Sequence, residues 1–167
     1  PDKKIDAAPP LLLADLDRFA GWLTDLPALG GDTLLLFGRR NVRSNNSWMG
    51  NSRRLVKGPA RCVLMINPAD AAARGIVTGQ LVHIESRVGS VQVACDVSDD
   101  VMPGTVSLPH GYGHDRAGIR LRVAAERPGV SYNDLSDPLR IDPVSGNAAL
   151  TGVPVSVSAH ASMVAAQ

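Results

Sequence analysis

Between Gly38 and Gly58 the chain reads GRRNVRSNNSWMGNSRRLVKG, the stretch whose residue types best suit binding chemistry. Arg39, Arg40, Arg43, Arg53, Arg54 and Lys57 occur there with no Asp or Glu among them. A guanidinium presents parallel N–H donors that match phosphate oxygens. Asn41, Asn45 and Asn46 each offer a donor and an acceptor on one amide, as a base or pterin edge requires. Ser44, Ser47 and loop N–H groups can fill further phosphate positions, and Trp48 can cover a ring. Together they suit a pyrophosphate-linked, heterocycle-bearing ligand. The bland alternative is a solvated basic loop, but unstructured loops this long are usually functional or disordered.

Other candidates are weaker. His110 and His114, in PHGYGHD, stand at a helical metal-binding interval. Gly111 and Gly113 oppose a helix there and no third ligand lies nearby, so a loop hydrogen-bonding role is the better reading. Ser131, His110 and Asp115 spell a triad on paper, yet no GxSxG nucleophile elbow is present. No catalytic residue is assigned. Walker and GxGxxG fingerprints are absent. For Asn133 a ligand contact and a turn cap are equally open. Cys62 and Cys95 lack metal-site spacing and read as buried free thiols of a reducing, cytoplasmic compartment.

These residues need a scaffold. Leu13, Leu16, Ala20, Leu23 and Leu26 recur at helical spacing, which predicts a helix ending before Pro27. Strands are predicted at Thr33–Phe37, ended by Gly38, and at 61–66, 81–86, 90–96, 104–108 and 153–157. The fourth pairs with the third in a hairpin. Pro154 predicts that the last strand is an edge or carries a bulge. Asn67-Pro68-Ala69-Asp70 opens a short helix, with Asn67 as N-cap and Pro68 at the first position. Ile119, Leu121 and Val123 alternate like a strand within a Gly-rich stretch that favours a loop. Without βαβ periodicity the pattern is mainly β with short helices, a small mixed or antiparallel barrel. The expected organisation is a linker and short helix over 1–31, the barrel over 32–158 and a flexible tail over 159–167.

Bulk composition adds limits. At 167 residues the chain suits one domain. Aromatics at 4% leave a core of Val, Leu, Ile and Ala. A net charge of +1 and scarce stacking residues argue against a nucleic-acid partner. No apolar run reaches the ~18 residues of a membrane span. The opening at Pro1, on a polar unpatterned stretch, reads as a piece excised from a longer protein.

The order of motifs resembles one family. Phe37–Asn46 continues into Ser47-Trp48. Ile66-Asn67-Pro68-Ala69-Asp70-Ala71 precedes Gly75-Ile76-Val77-Thr78-Gly79 and Val82. Ser86-Arg87-Val88-Gly89, Val101-Met102-Pro103-Gly104 and Pro109-His110-Gly111 follow. Last come Asn133-Asp134-Leu135-Ser136-Asp137-Pro138 and Asp142-Pro143-Val144-Ser145-Gly146. This series resembles the C-terminal molybdopterin-guanine-dinucleotide-binding domain of molybdopterin oxidoreductases of the formate dehydrogenase, nitrate reductase and dimethyl sulfoxide reductase type. The resemblance implies a six-stranded double-psi β-barrel of the aspartate decarboxylase-like kind. It implies a bis-pterin guanine dinucleotide cofactor with Mo or W, shared with upstream domains of the same parent chain. It also implies that this segment holds no metal ligand and that the parent has a redox partner subunit. Phe37, Gly38, Arg39 and the loop through Asn46 match the family's main cofactor-contact loop. Asn133 matches a contacting Asn, and His110 to Tyr112 match a stretch near the pterin. The chain departs from its relatives at Leu150-Thr151-Gly152, where they often carry a cofactor-reaching Lys, and at Gly79-Gln80, where Gly-Asp is common. Two other functions are open: a double-psi barrel serving as an interaction or adaptor module, and a self-contained hydrolase or decarboxylase, which lacks a convincing nucleophile.

Overall fold

The computed structural model describes residues 3–25 and 31–160. Two short helices come first, α1 (Pro10–Ala14) and α2 (Leu16–Asp25). The single predicted helix is therefore broken: Asp15 sits at the C-cap of α1 and binds the Arg18 guanidinium. Leu26 and Pro27 lie outside the described residues.

The barrel strands are β1 (Thr33–Arg39), β2 (Leu64–Ile66), β3 (Leu81–Ser86), β4 (Ser90–Val97), β5 (Thr105–Pro109) and β6 (Val153–Ala159). They close in the order β1-β5-β2-β4-β3-β6. The β1·β5 and β2·β4 pairs are parallel and all other neighbours are antiparallel. Renaming each strand by a three-place advance maps this pairing pattern onto itself, directions included. Two interlocked three-strand halves with this relation make a double-psi barrel. Closure leaves no free sheet edge.

Alternation places Leu34 and Leu36 of β1, Val82 and Ile84 of β3 and Val106 and Leu108 of β5 inside, each no more than 2% exposed. The antiparallel β3·β4 hairpin runs as predicted, in register Val82↔Val93 and Ile84↔Val91. Helix α4 (Pro68–Ala73) also follows its signals: Asn67 Oδ1 accepts from Ala69 N at 2.9 Å, and Pro68 takes the first turn. Asp70 reaches further and accepts from Gly104 N at 2.7 Å, fixing the approach to β5.

Several expectations are corrected. Gly38 does not end β1; Gly38 pairs with Leu108 and Arg39 with Pro109, because β5 extends alongside. β2 is shorter than predicted, beginning at Leu64. β6 is not an edge strand, since β1 flanks one side and β3 the other. Pro154 is tolerated because it pairs with Leu35 at a point one residue beyond the last β3 pair, Ser86↔Val155. β6 continues through Ala159, and His160 N still donates to Leu81 O at 3.0 Å, past the predicted start of the tail. Residues 161–167 lie outside the described residues. Around Val123, where the glycines favoured a loop over a strand, the chain forms a short helix, α5 (Arg122–Ala125).

Candidate functional site

The extension of β1 delivers the basic loop to one end of the barrel. Beyond Arg39 the chain folds into consecutive turns, with Ser44 N and Asn45 N donating to Asn41 O at 3.1 and 3.0 Å. Asn41 Oδ1 accepts from Arg43 N at 2.9 Å, so this amide serves the loop itself. Asn45 and Asn46 take left-handed backbone, φ +40° and +58°, which Asn accommodates better than most residues. A short helix, α3 (Arg53–Val56), ends the loop. Asn51 Oδ1 accepts from Val123 N and Ala124 N at 2.9 and 3.2 Å, and Arg53 pairs with Glu126. The long loop is thus ordered against the segment around α5.

Two glycines set close approaches. A Cβ on Gly38 would stand 1.8 Å from His110 Nε2. A Cβ on Gly111 would stand 1.9 Å from Asn46 O, and Gly111 has φ +91°. The loop and the stretch after β5 therefore meet backbone to backbone, while the end of β1 receives the His110 ring.

The predicted site residues separate into groups. Gly38, Arg40, Asn46, Ser47, His110 and Asn133 line one polar cleft of about 540 Å³. Arg43, Ser44 and Tyr112 line a second, more apolar cavity of about 410 Å³ beside Leu55, Val56, Cys62 and Pro128. Phe37 faces a groove of about 480 Å³ on the outer wall, with Leu35, Met102 and Thr151. Trp48 stands 86% exposed. Asn41 and Asn45 build the turns. Asn133 makes no cap bond; the residue at the N-cap of its 3-10 turn (Tyr132–Asp134) is Ser131, which makes none either.

Arg39 is used differently from its neighbours. Its Nη1 donates to Ser107 O at 2.5 Å and its Nη2 to Val63 O at 2.6 Å, so both ends of the fork serve the barrel wall. Burial pulls its pKa down, partly opposed by Cys62, Tyr112 and Asp96. Among the described residues the Arg40 and Arg43 guanidinium groups have no hydrogen bond or ion pair. They remain available to an anion.

Around the cleft, burial and then the Arg40 charge hold His110 below its ordinary pKa, so a neutral imidazole is favoured. His114 Nε2 lies 2.8 Å from Gly111 O, the loop role expected for it. Among the described residues no group of three His, Cys, Asp or Glu side chains could hold a metal ion. Cys95 is buried and Cys62 half-buried, and burial raises both thiol pKa values. Gly111, within the predicted His110 to Tyr112 stretch, also lines the cleft, and the structure adds Ser131, Tyr132, Leu150 and Thr151. One signal pointed to Tyr132, an aromatic beside Asn133 in a chain with only 2 Tyr, 2 Trp and 2 Phe.

A double-psi barrel with a polar cleft, unpaired cations and free amide groups at one end defines a binding domain for an anionic, heterocyclic ligand. The chain belongs to the molydopterin dinucleotide binding domain family, whose model matches residues 34–154. It is 36% identical over 103 residues to ArrA, the molybdopterin-containing component of the arsenate respiratory reductase of Chrysiogenes arsenatis. That alignment covers 56% of this chain and 12% of the relative. Against a tetrathionate reductase chain of Salmonella typhimurium identity is 32% over 116 residues, covering 59% of this chain and 11% of the relative. Against dimethyl sulfoxide/trimethylamine N-oxide reductase of Cereibacter sphaeroides it is 45% over 51 residues, covering 30% and 6%. The chain thus spans only a small part of these relatives' length. Acetylene hydratase from Pelobacter acetylenicus shares the fold, with a TM-score of 0.67 at 18% identity over 83% of this chain and 20% of that one. No helix among the described residues is long and apolar enough to cross a membrane. The molybdopterin-binding reading of the sequence therefore holds, and the adaptor reading is not favoured.

Proposed function

We propose that this chain is the part of a bis-pterin molybdenum or tungsten oxidoreductase that closes over the guanine dinucleotide form of the cofactor. The observation that carries it is the convergence of Gly38, Arg40, Asn46, Ser47, His110 and Asn133 on one cleft. The residues fit such a group. The absent side chain at Gly38 lets the His110 imidazole pack at the cleft, and the absent side chain at Gly111 lets the Asn46–Ser47 backbone close against it. Arg40 would neutralise diphosphate oxygens, and Ser47 would add a hydroxyl contact. Asn46 and Asn133 would read a heterocycle edge with paired donor and acceptor, and neutral His110 would add one more such contact. Arg43 and Ser44 would hold a second phosphate-bearing portion at the mouth of the neighbouring cavity. The pterin-bound metal supplies the redox chemistry. This chain's residues bind, orient and exclude water.

The metal ligand and any iron–sulfur centres belong to other domains of the parent, upstream of this one, and electrons pass to or from a redox partner subunit. The relatives named above are reductases of arsenate, tetrathionate and S- or N-oxides, which favours a reductase over the formate dehydrogenase type. The two free thiols suit a cytoplasmic compartment. The test is Arg40→Ala in the whole parent protein, produced in a host that makes the cofactor, with metal and guanine-nucleotide content measured per chain. The expected result is a loss of both with the domain still folded. Full metal and nucleotide content in that variant overturns the proposal.

A further inference from the structure

We propose that Tyr132 is the positioning residue of the polar cleft, setting His110 on one wall and anchoring Leu150–Thr151 on the other. The inference rests on the reading of this cleft as the cofactor site, and deepens it. Tyr132 is 2% exposed, in the helical turn just before Asn133. Its ring lies against the His110 ring, with centroids 4.3 Å apart at 47°. The Nε2 edge of the imidazole meets Gly38, where even a methyl group has no room. His110 is therefore clamped between β1 backbone and the tyrosine ring. Among the described residues no hydrogen bond engages its ring nitrogens, so packing alone sets its orientation, with Nε2 turned against Gly38 and Nδ1 left as the nitrogen a ligand could reach.

The other end of Tyr132 acts on a different wall. Its hydroxyl has one proton and donates it to Leu150 O at 2.6 Å, with Leu36 O farther away at 3.5 Å. The segment before β6 is otherwise tied largely to itself, by Asp142 N to Asn147 O, Ala149 N to Arg140 O and Arg140 Nη1 to Gly152 O. The tyrosine bond joins this self-contained segment to the barrel at the point where Leu150 and Thr151 face the cleft. A tyrosine that only filled the core would satisfy its hydroxyl anywhere. This one spends ring and hydroxyl on two separate walls of one site.

The test uses Tyr132→Phe and Tyr132→Leu, read by imidazole NMR and amide exchange in this chain and by guanine-nucleotide content in the parent. Tyr132→Phe should leave the His110 ring signals in place and speed exchange at Ala149 and Leu150, whose amides are hydrogen-bonded, about fivefold, the equilibrium factor of one ordinary hydrogen bond. Tyr132→Leu should also shift the His110 ring signals and, by exposing the imidazole, raise its titration toward the ordinary histidine range. Unchanged His110 signals in folded Tyr132→Leu overturn the positioning role. If that variant does not fold, unchanged exchange at Ala149 and Leu150 in Tyr132→Phe overturns it instead. In the parent, Tyr132→Phe should lose nucleotide about fivefold. Loss in Arg40→Ala without loss in Tyr132→Phe overturns the positioning role and leaves the cofactor reading standing. Loss in neither overturns the cofactor reading itself.

Discussion

Replacing Arg39 should damage the barrel before it touches any ligand. The residue opens the Arg-rich loop in sequence, yet its guanidinium ties β5, the neighbour of β1, to the chain just before β2. β2 begins only at Leu64, so Val63 has left the ladder, and Arg39 donates to its carbonyl at 2.6 Å and to Ser107 O of β5 at 2.5 Å. A hydrogen bond from a charged donor contributes about 1.5–3 kcal/mol. Two of them, discounted because the side chain is only partly buried, give about 2–4 kcal/mol for Arg39→Ala. Against a domain stability of about 5–15 kcal/mol this is a large fraction. Urea unfolding of this chain is the assay. With a slope of about 1.5–2 kcal/mol per molar, the midpoint should fall by about 1–2.7 M. Arg39→Lys keeps the charge but cannot reach two diverging carbonyls, and should recover about half. A midpoint within ~0.3 M of the unsubstituted chain, well inside the predicted fall, would refute the reasoning. Such a result together with loss of nucleotide in the parent would return Arg39 to the ligand.

Three further outcomes are expected. Gly111→Ala forces a left-handed φ of +91° on alanine and sets a methyl 1.9 Å from Asn46 O, so it should cost about 3 kcal/mol or more; thermal unfolding reads it, and a near-normal midpoint would contradict the close approach. Asn67→Ala removes the α4 cap and the 2.8 Å bond from Asn67 Nδ2 to Val101 O; about 2–3 kcal/mol should be lost in denaturant titrations. Asp137 is held near a pKa of about 2, by the Arg87 fork first and then by Leu139 N. A depressed folded pKa stabilises above the unfolded carboxylate value and is lost as pH falls through that value toward 2. Acid titration of Asp137→Asn should therefore show a shallower loss of stability between about pH 4 and pH 2, and an unchanged acid limb would count against the pair.

Much of the fold was legible because its signals are local. The alternation in 81–86 and 90–97 requires a hairpin with Val82, Ile84, Val91 and Val93 on one face, and the pairing register has them there. Asn67-Pro68 announces a helix start because capping and a proline φ act within one turn. The basic, Asn-rich composition of the loop after β1 marked it as a candidate binding region. The order of its motifs was sufficient to point to the family.

Local signals end where a residue's partner is remote in sequence. Pro154 argued for an edge, and only barrel closure decides that β6 is flanked on both sides with the proline beyond the end of β3. The arginines at 39 and 40 are indistinguishable by type, but strand alternation turns one onto carbonyls of Val63 and Ser107 and the other into the cleft. Tyr132 gained its position from contacts with residues 36, 110 and 150, none close to it in the chain. Residue type and spacing determined which groups this protein has available for binding. Tertiary structure decided which of them are consumed in holding the barrel and which are left for a ligand, because a side chain's donors are committed by whatever the fold brings within hydrogen-bond reach.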